Sequence, residues 1–199
     1  SGKRVVPVAE DLGERAVLLA LAATAYHAIA EHPPELIIGH GVLGRLLARI
    51  TLAMGAPAPV VWESSPERAD DARGYQVLDA DRDGRRDYGR ICDASGDANI
   101  LDLLIGRLRS GGEITLAGFY DRLSFAFAPA FMREARIRIA AEWHPNDMAA
   151  LNALIASGKL SLDGLITHRE PAATAPDAYR TAFGDARCLK MILDWRKFE

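Results

Sequence analysis

Gly39-His40-Gly41-Val42-Leu43-Gly44 limits what this chain can fold into more than any other stretch of it. Glu35-Leu36-Ile37-Ile38 runs straight into it and has the length and apolar character of a short buried strand. Beyond it, Val42, Leu43, Leu46, Leu47, Ile50 and Met54 recur at helical spacing until Gly55, a natural stop. A strand that turns through three glycines into a helix brings bare backbone up to whatever lies at the turn. Gly39 permits the tight turn, Gly41 lets the main chain approach a diphosphate, and Gly44 lets the helix pack closely on the strand. The helix opening near Val42 offers unpaired N–H groups and the positive end of its dipole to that anion.

Pro59-Val60-Val61-Trp62 reads as the next strand, and Glu63 follows it directly, about 20 residues after the last glycine. A carboxylate there accepts hydrogen bonds from both ribose hydroxyls of an adenosine and repels a 2′-phosphate. The expected cofactor is therefore NAD rather than NADP. Arg68 is the nearest following cation, recruited only if the loop rearranges. The competing account makes Glu63 an exposed loop acid and the glycines simple turn residues. Agreement of strand, turn, helix and acid on both flanks favours the dinucleotide.

Further along, Ser64-Ser65-Pro66 opens a short polar helix, and Tyr75-Gln76-Val77-Leu78 reads as a third strand. Strands are expected at residues 88–93, 112–117 and 136–141, with a helix at 97–108 and a long buried one at 14–31, stopped by Pro33-Pro34. Alternating strands and helices imply an α/β fold, a Rossmann-type doubly wound parallel sheet with helices on both faces. Ligands of such sheets sit at the carboxyl ends of the strands. That places Asp93-Ala94-Ser95-Gly96 and Ala117-Gly118-Phe119 beside the cofactor. Gly96 and Gly118 are either sites of close approach or ordinary turn glycines. Within Gly118-Phe119-Tyr120-Asp121-Arg122-Leu123-Ser124-Phe125-Ala126-Phe127, the alternation of Phe125 and Phe127 suggests a half-buried strand that packs the core or an interface. Phe119 and Tyr120 stand open between packing and lining a substrate wall.

The histidines complete no catalytic or metal arrangement. His40 is expected to face cofactor or solvent, its backbone mattering more than its ring. His27, on an apolar helix, reads as a satisfied core residue, and His144 and His168 are isolated. No metal site is expected. Only two cysteines occur, Cys92 and Cys188, in no paired spacing, which fits a reducing cytoplasm. A net charge of −3 gives no broad basic field for nucleic acid or anionic lipid. Arg82, Arg85, Arg86 and Arg90 are interleaved with Asp79, Asp81, Asp83 and Asp87, as in a solvated loop. No apolar run reaches the roughly 20 residues of a membrane span, and no signal peptide is visible, so the cytoplasm is the expected compartment.

From Leu12 to Trp195 the chain resembles the cofactor domain of the medium-chain dehydrogenase/reductase superfamily. Ala22-Ala23-Thr24-Ala25-Tyr26-His27-Ala28, the glycine motif, Cys92-Asp93-Ala94-Ser95-Gly96 and Lys190-Met191-Ile192-Leu193 carry that resemblance. Gly44-Arg45-Leu46-Leu47-Ala48-Arg49, Leu116-Ala117-Gly118-Phe119-Tyr120, Ala130-Phe131-Met132-Arg133-Glu134-Ala135-Arg136 and Leu162-Asp163-Gly164-Leu165-Ile166-Thr167-His168-Arg169 narrow it to the bacteriochlorophyllide a dehydrogenase family. The resemblance implies NAD-dependent oxidation of the 3-(1-hydroxyethyl) side chain of a tetrapyrrole to 3-acetyl, in bacteriochlorophyll biosynthesis. It implies that Thr24 lies near the nicotinamide and that Gly118 and Phe119 flank its carboxamide. It further implies residues 1–12 as the tail of an N-terminal catalytic domain of roughly a hundred residues or more, residues 13–157 as the dinucleotide-binding domain, and residues 158–199 as a segment returning toward the catalytic one. This chain alone is then expected to be inactive, and the enzyme to be a possible homodimer. Two other functions fit the same residues: the cofactor domain of another medium-chain alcohol or polyol dehydrogenase, or a module that senses NAD(H) without turnover.

Overall fold

The computed structural model describes residues 7–196. The ends of the expected N-terminal tail and C-terminal segment, 1–6 and 197–199, lie outside the described residues. Strands β1 (Leu36–Ile38), β2 (Val60–Trp62), β3 (Gln76–Leu78), β4 (Tyr88–Asp93), β5 (Leu108–Leu116) and β6 (Arg136–Ile139) form one sheet in the order β3-β2-β1-β4-β5-β6. All neighbours are parallel. The order reverses between β1 and β4, and such a switch opens a crevice beyond the strands' carboxyl ends.

Both faces of the sheet are covered, for the reason the apolar runs suggested. Successive side chains of a strand point to opposite faces, so β1 divides its residues between two cores. Ile37 joins Leu18, Ile29, Leu46, Leu47 and Ile50 on one side, where α1 (Leu19–Ile29), α2 (Val42–Ala53) and α6 (Pro145–Ala156) pack. Leu36 and Ile38 join Trp62, Tyr88, Leu101, Leu104 and Ile105 on the other, under α4 (Leu101–Arg107). Each fully buried Leu or Ile contributes about 1.5–3 kcal/mol relative to exposure. The remaining elements are α3 (Pro66–Ala69), α5 (Phe127–Met132), and a β7 (His168–Pro171), α7 (Ala175–Gly184), β8 (Met191–Asp194) unit whose two strands pair in parallel.

Four expectations need correction. The long first helix is shorter, because a 3-10 segment, Glu10–Leu18, precedes it and is broken at Gly13 (φ 50°, ψ −129°). Helix α4 starts late, since Asp97 Oδ1 accepts the Asn99 N–H at 2.9 Å and holds that stretch in a turn. No strand forms at Phe125–Phe127: Phe127 opens α5, and the two rings are 43% and 72% exposed. Asp83, grouped with the solvated acids, is instead buried, accepting Trp62 Nε1–H at 2.8 Å and the Tyr88 hydroxyl at 2.6 Å.

Candidate functional site

The chain turns at Gly39 with φ +92°, a left-handed conformation that suits glycine. Its N–H donates to Trp62 O at 2.8 Å, so the loop is pinned to the neighbouring strand as it leaves β1. Gly44 is required for space. A Cβ there would come within 1.8 Å of the Gly39 carbonyl oxygen. The first turn of α2 therefore lies against the loop that precedes it, closer than the strand contact expected of this glycine. Gly41 is the opposite case, since a Cβ on it would meet nothing within 4 Å. The backbone there faces open space at the helix N-terminus, where the N–H groups of Val42, Leu43 and Gly44 precede the first intrahelical bond, Arg45 N–H to Gly41 O.

Ile38, Gly39, Gly41, Trp62, Glu63 and Ser95 line a cavity of about 350 Å³ at the switch point. Glu63 Oε2 accepts the His40 N–H and Oε1 the Ser65 N–H, each at 2.8 Å. An ionised carboxylate has about four acceptor positions, so each oxygen keeps capacity for a further donor. Ser95 is set by Asp93, whose Oδ1 accepts both its N–H (2.9 Å) and its hydroxyl (2.7 Å). Asp93 is fully buried, and burial raises its carboxyl above the ordinary carboxylate range, against the pull of the Ser95 and Tyr120 hydrogen bonds. Sequence reasoning missed Asp79 and Asp97 in this cavity and the place of Arg68. Arg68 already stands at its wall, its Nε donating to Ala186 O at 2.7 Å, with no loop rearrangement. The distance in sequence hid it, because α3 folds it back.

A second cavity of about 540 Å³ brings Thr24 of α1 together with Gly118, Phe119 and Tyr120 after β5. The ring of Phe119 is 99% exposed at this opening. Tyr120 lines the cavity with its ring while its hydroxyl turns inward to Asp93 Oδ2 at 2.8 Å. A Cβ on Gly118 would lie 2.6 Å from the Tyr120 hydroxyl and 3.0 Å from Gly96 N, so the two loops leave no room for a side chain there.

His40 departs from expectation. Its ring is wholly buried, facing neither cavity nor solvent, with Nδ1 2.6 Å from Arg68 O and Nε2 2.8 Å from Tyr75 Oη. His27 is satisfied as expected, Nδ1 lying 2.9 Å from Asp147 Oδ2 with the His144 ring edge-on at 4.9 Å. Among the described residues no group of three His, Cys, Asp or Glu is placed to hold a metal, and no helix is long and apolar enough to cross a membrane.

No protein-family model matches the chain. Over 98% of its length it is 58% identical to the 2-desacetyl-2-hydroxyethyl bacteriochlorophyllide A dehydrogenase of Rhodobacter capsulatus. Over 97% it is 59% identical to the protein of the same name from Cereibacter sphaeroides. The chain spans 64% and 62% of the length of those two relatives. A solved short chain alcohol dehydrogenase from Escherichia coli, complexed with NADH, shares the fold with a TM-score of 0.80 at 19% identity, covering 90% of this chain and 59% of that one.

Proposed function

The chain is a homologue, over nearly its whole length, of the 2-desacetyl-2-hydroxyethyl bacteriochlorophyllide A dehydrogenases, and on that premise we propose that it is the NAD-binding part of a longer enzyme that oxidises the 3-(1-hydroxyethyl) group of a bacteriochlorophyllide to 3-acetyl. The observation that carries this reading is the glycine loop at the switch point, facing a cavity that also holds Glu63. The residues fit a dinucleotide. The open space before Gly41 leaves room for a diphosphate against bare backbone, and the α2 N-terminus supplies donors and a favourable dipole. Glu63 takes the adenosine ribose, and the further acids Asp79 and Asp97 oppose a 2′-phosphate, while Arg68 at the same wall is engaged through Nε by the Ala186 carbonyl. Thr24, Gly118 and Phe119 stand on the nicotinamide side.

A dinucleotide held by the glycine loop and Glu63 would supply the hydride acceptor for the alcohol carbon, and the hydroxyl proton would pass to an acceptor on the catalytic domain. The chain's own part is positioning, which contributes up to ~7–11 kcal/mol in well-oriented systems. Phe119 offers a flat aromatic face of the kind a chlorin ring meets favourably. In this reading residues 13–157 form the nucleotide domain, and residues 1–12 and 158–199 lead to and from a catalytic domain that holds the proton acceptor. The enzyme works in the cytoplasm as a homodimer.

Calorimetric titration tests the reading. The 199-residue chain should bind NADH at least about tenfold more tightly than NADPH, the effect of a charged hydrogen-bond pair of about 1.5–3 kcal/mol. It should not turn over the 3-hydroxyethyl pigment alone, whereas the full-length gene product should. Equal or tighter NADPH binding overturns the cofactor assignment. Full-length enzyme that oxidises polyols but not the pigment overturns the substrate.

A further inference from the structure

The second residue of the glycine motif needs only a main-chain N–H to serve the turn, yet here it is a histidine with a buried, fully engaged ring. Its main-chain N–H donates to Glu63 Oε2 at 2.8 Å, and its carbonyl accepts from Arg45 Nε at 3.1 Å. The ring tautomer follows from its partners. The Arg68 carbonyl can only accept, so Nδ1 carries the proton, which leaves Nε2 to accept from the Tyr75 hydroxyl. Arg45 adds donors to Arg68 O (3.1 Å) and Asp70 O (2.9 Å). The stretch from Glu63 to Asp70 is thus tied to the glycine loop at both ends, at its start through the His40 main chain and at its end through the ring and Arg45.

We propose that His40, held by Tyr75 and Arg45, is a positioning residue that fixes the Glu63 carboxylate for the adenosine ribose and so sets the preference for a dinucleotide without a 2′-phosphate. The proposal rests on the dinucleotide reading of the crevice. Its physical basis is that both ends of the loop carrying Glu63 and Arg68 meet on one buried residue, the Glu63 end on its main-chain N–H and the Arg68 end on its ring. Withdrawing the ring removes one of the two side-chain donors on the Arg68 carbonyl and the acceptor of the Tyr75 hydroxyl, which loosens that end of the loop although Glu63 itself is untouched.

The test compares NADH and NADPH affinities of the full chain for wild type, His40→Leu and His40→Asn, with melting temperatures recorded alongside. His40→Leu should weaken NADH binding about tenfold, the effect of one buried hydrogen-bonded partner lost, and NADPH binding much less, so that the ratio of the two falls. His40→Asn, which keeps a donor toward Arg68 O, should recover most of the ratio. In a Glu63→Gln background His40→Leu should change the ratio no further, because neighbours acting through one group are not additive. A ratio equal to wild type in His40→Leu, with only a lower melting temperature, overturns the proposal and leaves the ring as packing. If His40→Leu does not fold, Tyr75→Phe, which deletes a single hydroxyl, is read the same way. Wild-type chain that binds neither cofactor overturns the dinucleotide reading itself, and the role of His40 with it.

Discussion

A glycine can be required by its conformation or by its neighbours, and Gly39 and Gly44 divide those reasons between them. Gly44 sits inside α2 with ordinary helical geometry, so only space forbids a side chain, and the obstructing atom is a backbone carbonyl 1.8 Å from where Cβ would lie. Gly44→Ala should push α2 off the loop, lower stability by roughly 1–3 kcal/mol as overpacking does, and abolish NADH binding; thermal melts and titration of the same sample check both. His40 supplies a prediction about acidity. Burial holds its imidazole below the ordinary 6.5, and Arg45 and Arg49 oppose protonation while the Arg68 carbonyl and Glu63 favour it. The unfolded chain takes up a proton near 6.5 and the folded chain resists it, so below that pH the unfolded state binds more protons. The stabilisation is complete above 6.5 and is lost as pH falls from there toward the lower folded value. Denaturant midpoints of wild type should fall between pH 7 and 5.5 more steeply than those of His40→Asn.

At the scale of elements, Tyr120 links the loops that leave β4 and β5, its hydroxyl giving Asp93 Oδ2 a donor at 2.8 Å. Tyr120→Phe keeps the ring and removes the donor, leaving a buried carboxylate oxygen without it. The loss should be about 1–3 kcal/mol, about 2–4 °C per kcal/mol in a melt of a chain this size, with pigment KM in the full-length enzyme unchanged. The sheet was largely legible in the sequence because β1 and β2 are continuous apolar runs bounded by turn residues, and β4, which carries Arg90 and Asp93, was still read to the residue. Helices α6 and α7 were not seen, although each carries a start signal. Pro145 stands at the first position of α6 with Asp147 accepting the His144 N–H at 2.7 Å, and Pro176 and Asp177 open α7. The apolar stripe of α6 is weak, and that of α7, Ala175, Ala178, Tyr179, Ala182 and Phe183, is built partly of alanines, so periodicity went unread in both. In the site, the glycine turn and the place of Glu63 were legible because motif and strand set them locally. The inward turn of His40 and the return of Arg68 were not, because Tyr75 and Ala186 come from distant parts of the chain.

The whole molecule ends its sheet at β6, an edge strand with Ile139 77% exposed, next to α5 with Met132 75% exposed. An exposed parallel edge flanked by apolar side chains favours association with another chain. Sedimentation of the purified protein should show reversible dimers, and Met132→Lys should shift the population toward monomer without altering NADH affinity. A different consequence concerns how α1 acquires its surroundings. It packs on α6, with His27 paired to Asp147 across 120 residues, while Arg15 reaches Asp163 across 148 and Glu14 reaches Arg169 across 155. A ribosome adding about 5–20 residues per second makes the first of those partners on the order of ten seconds after α1 itself. For that interval one of the most apolar helices of the chain has left the ribosome with one flank uncovered, so vectorial synthesis exposes α1 to trigger-factor-like holdases before it can reach its own fold.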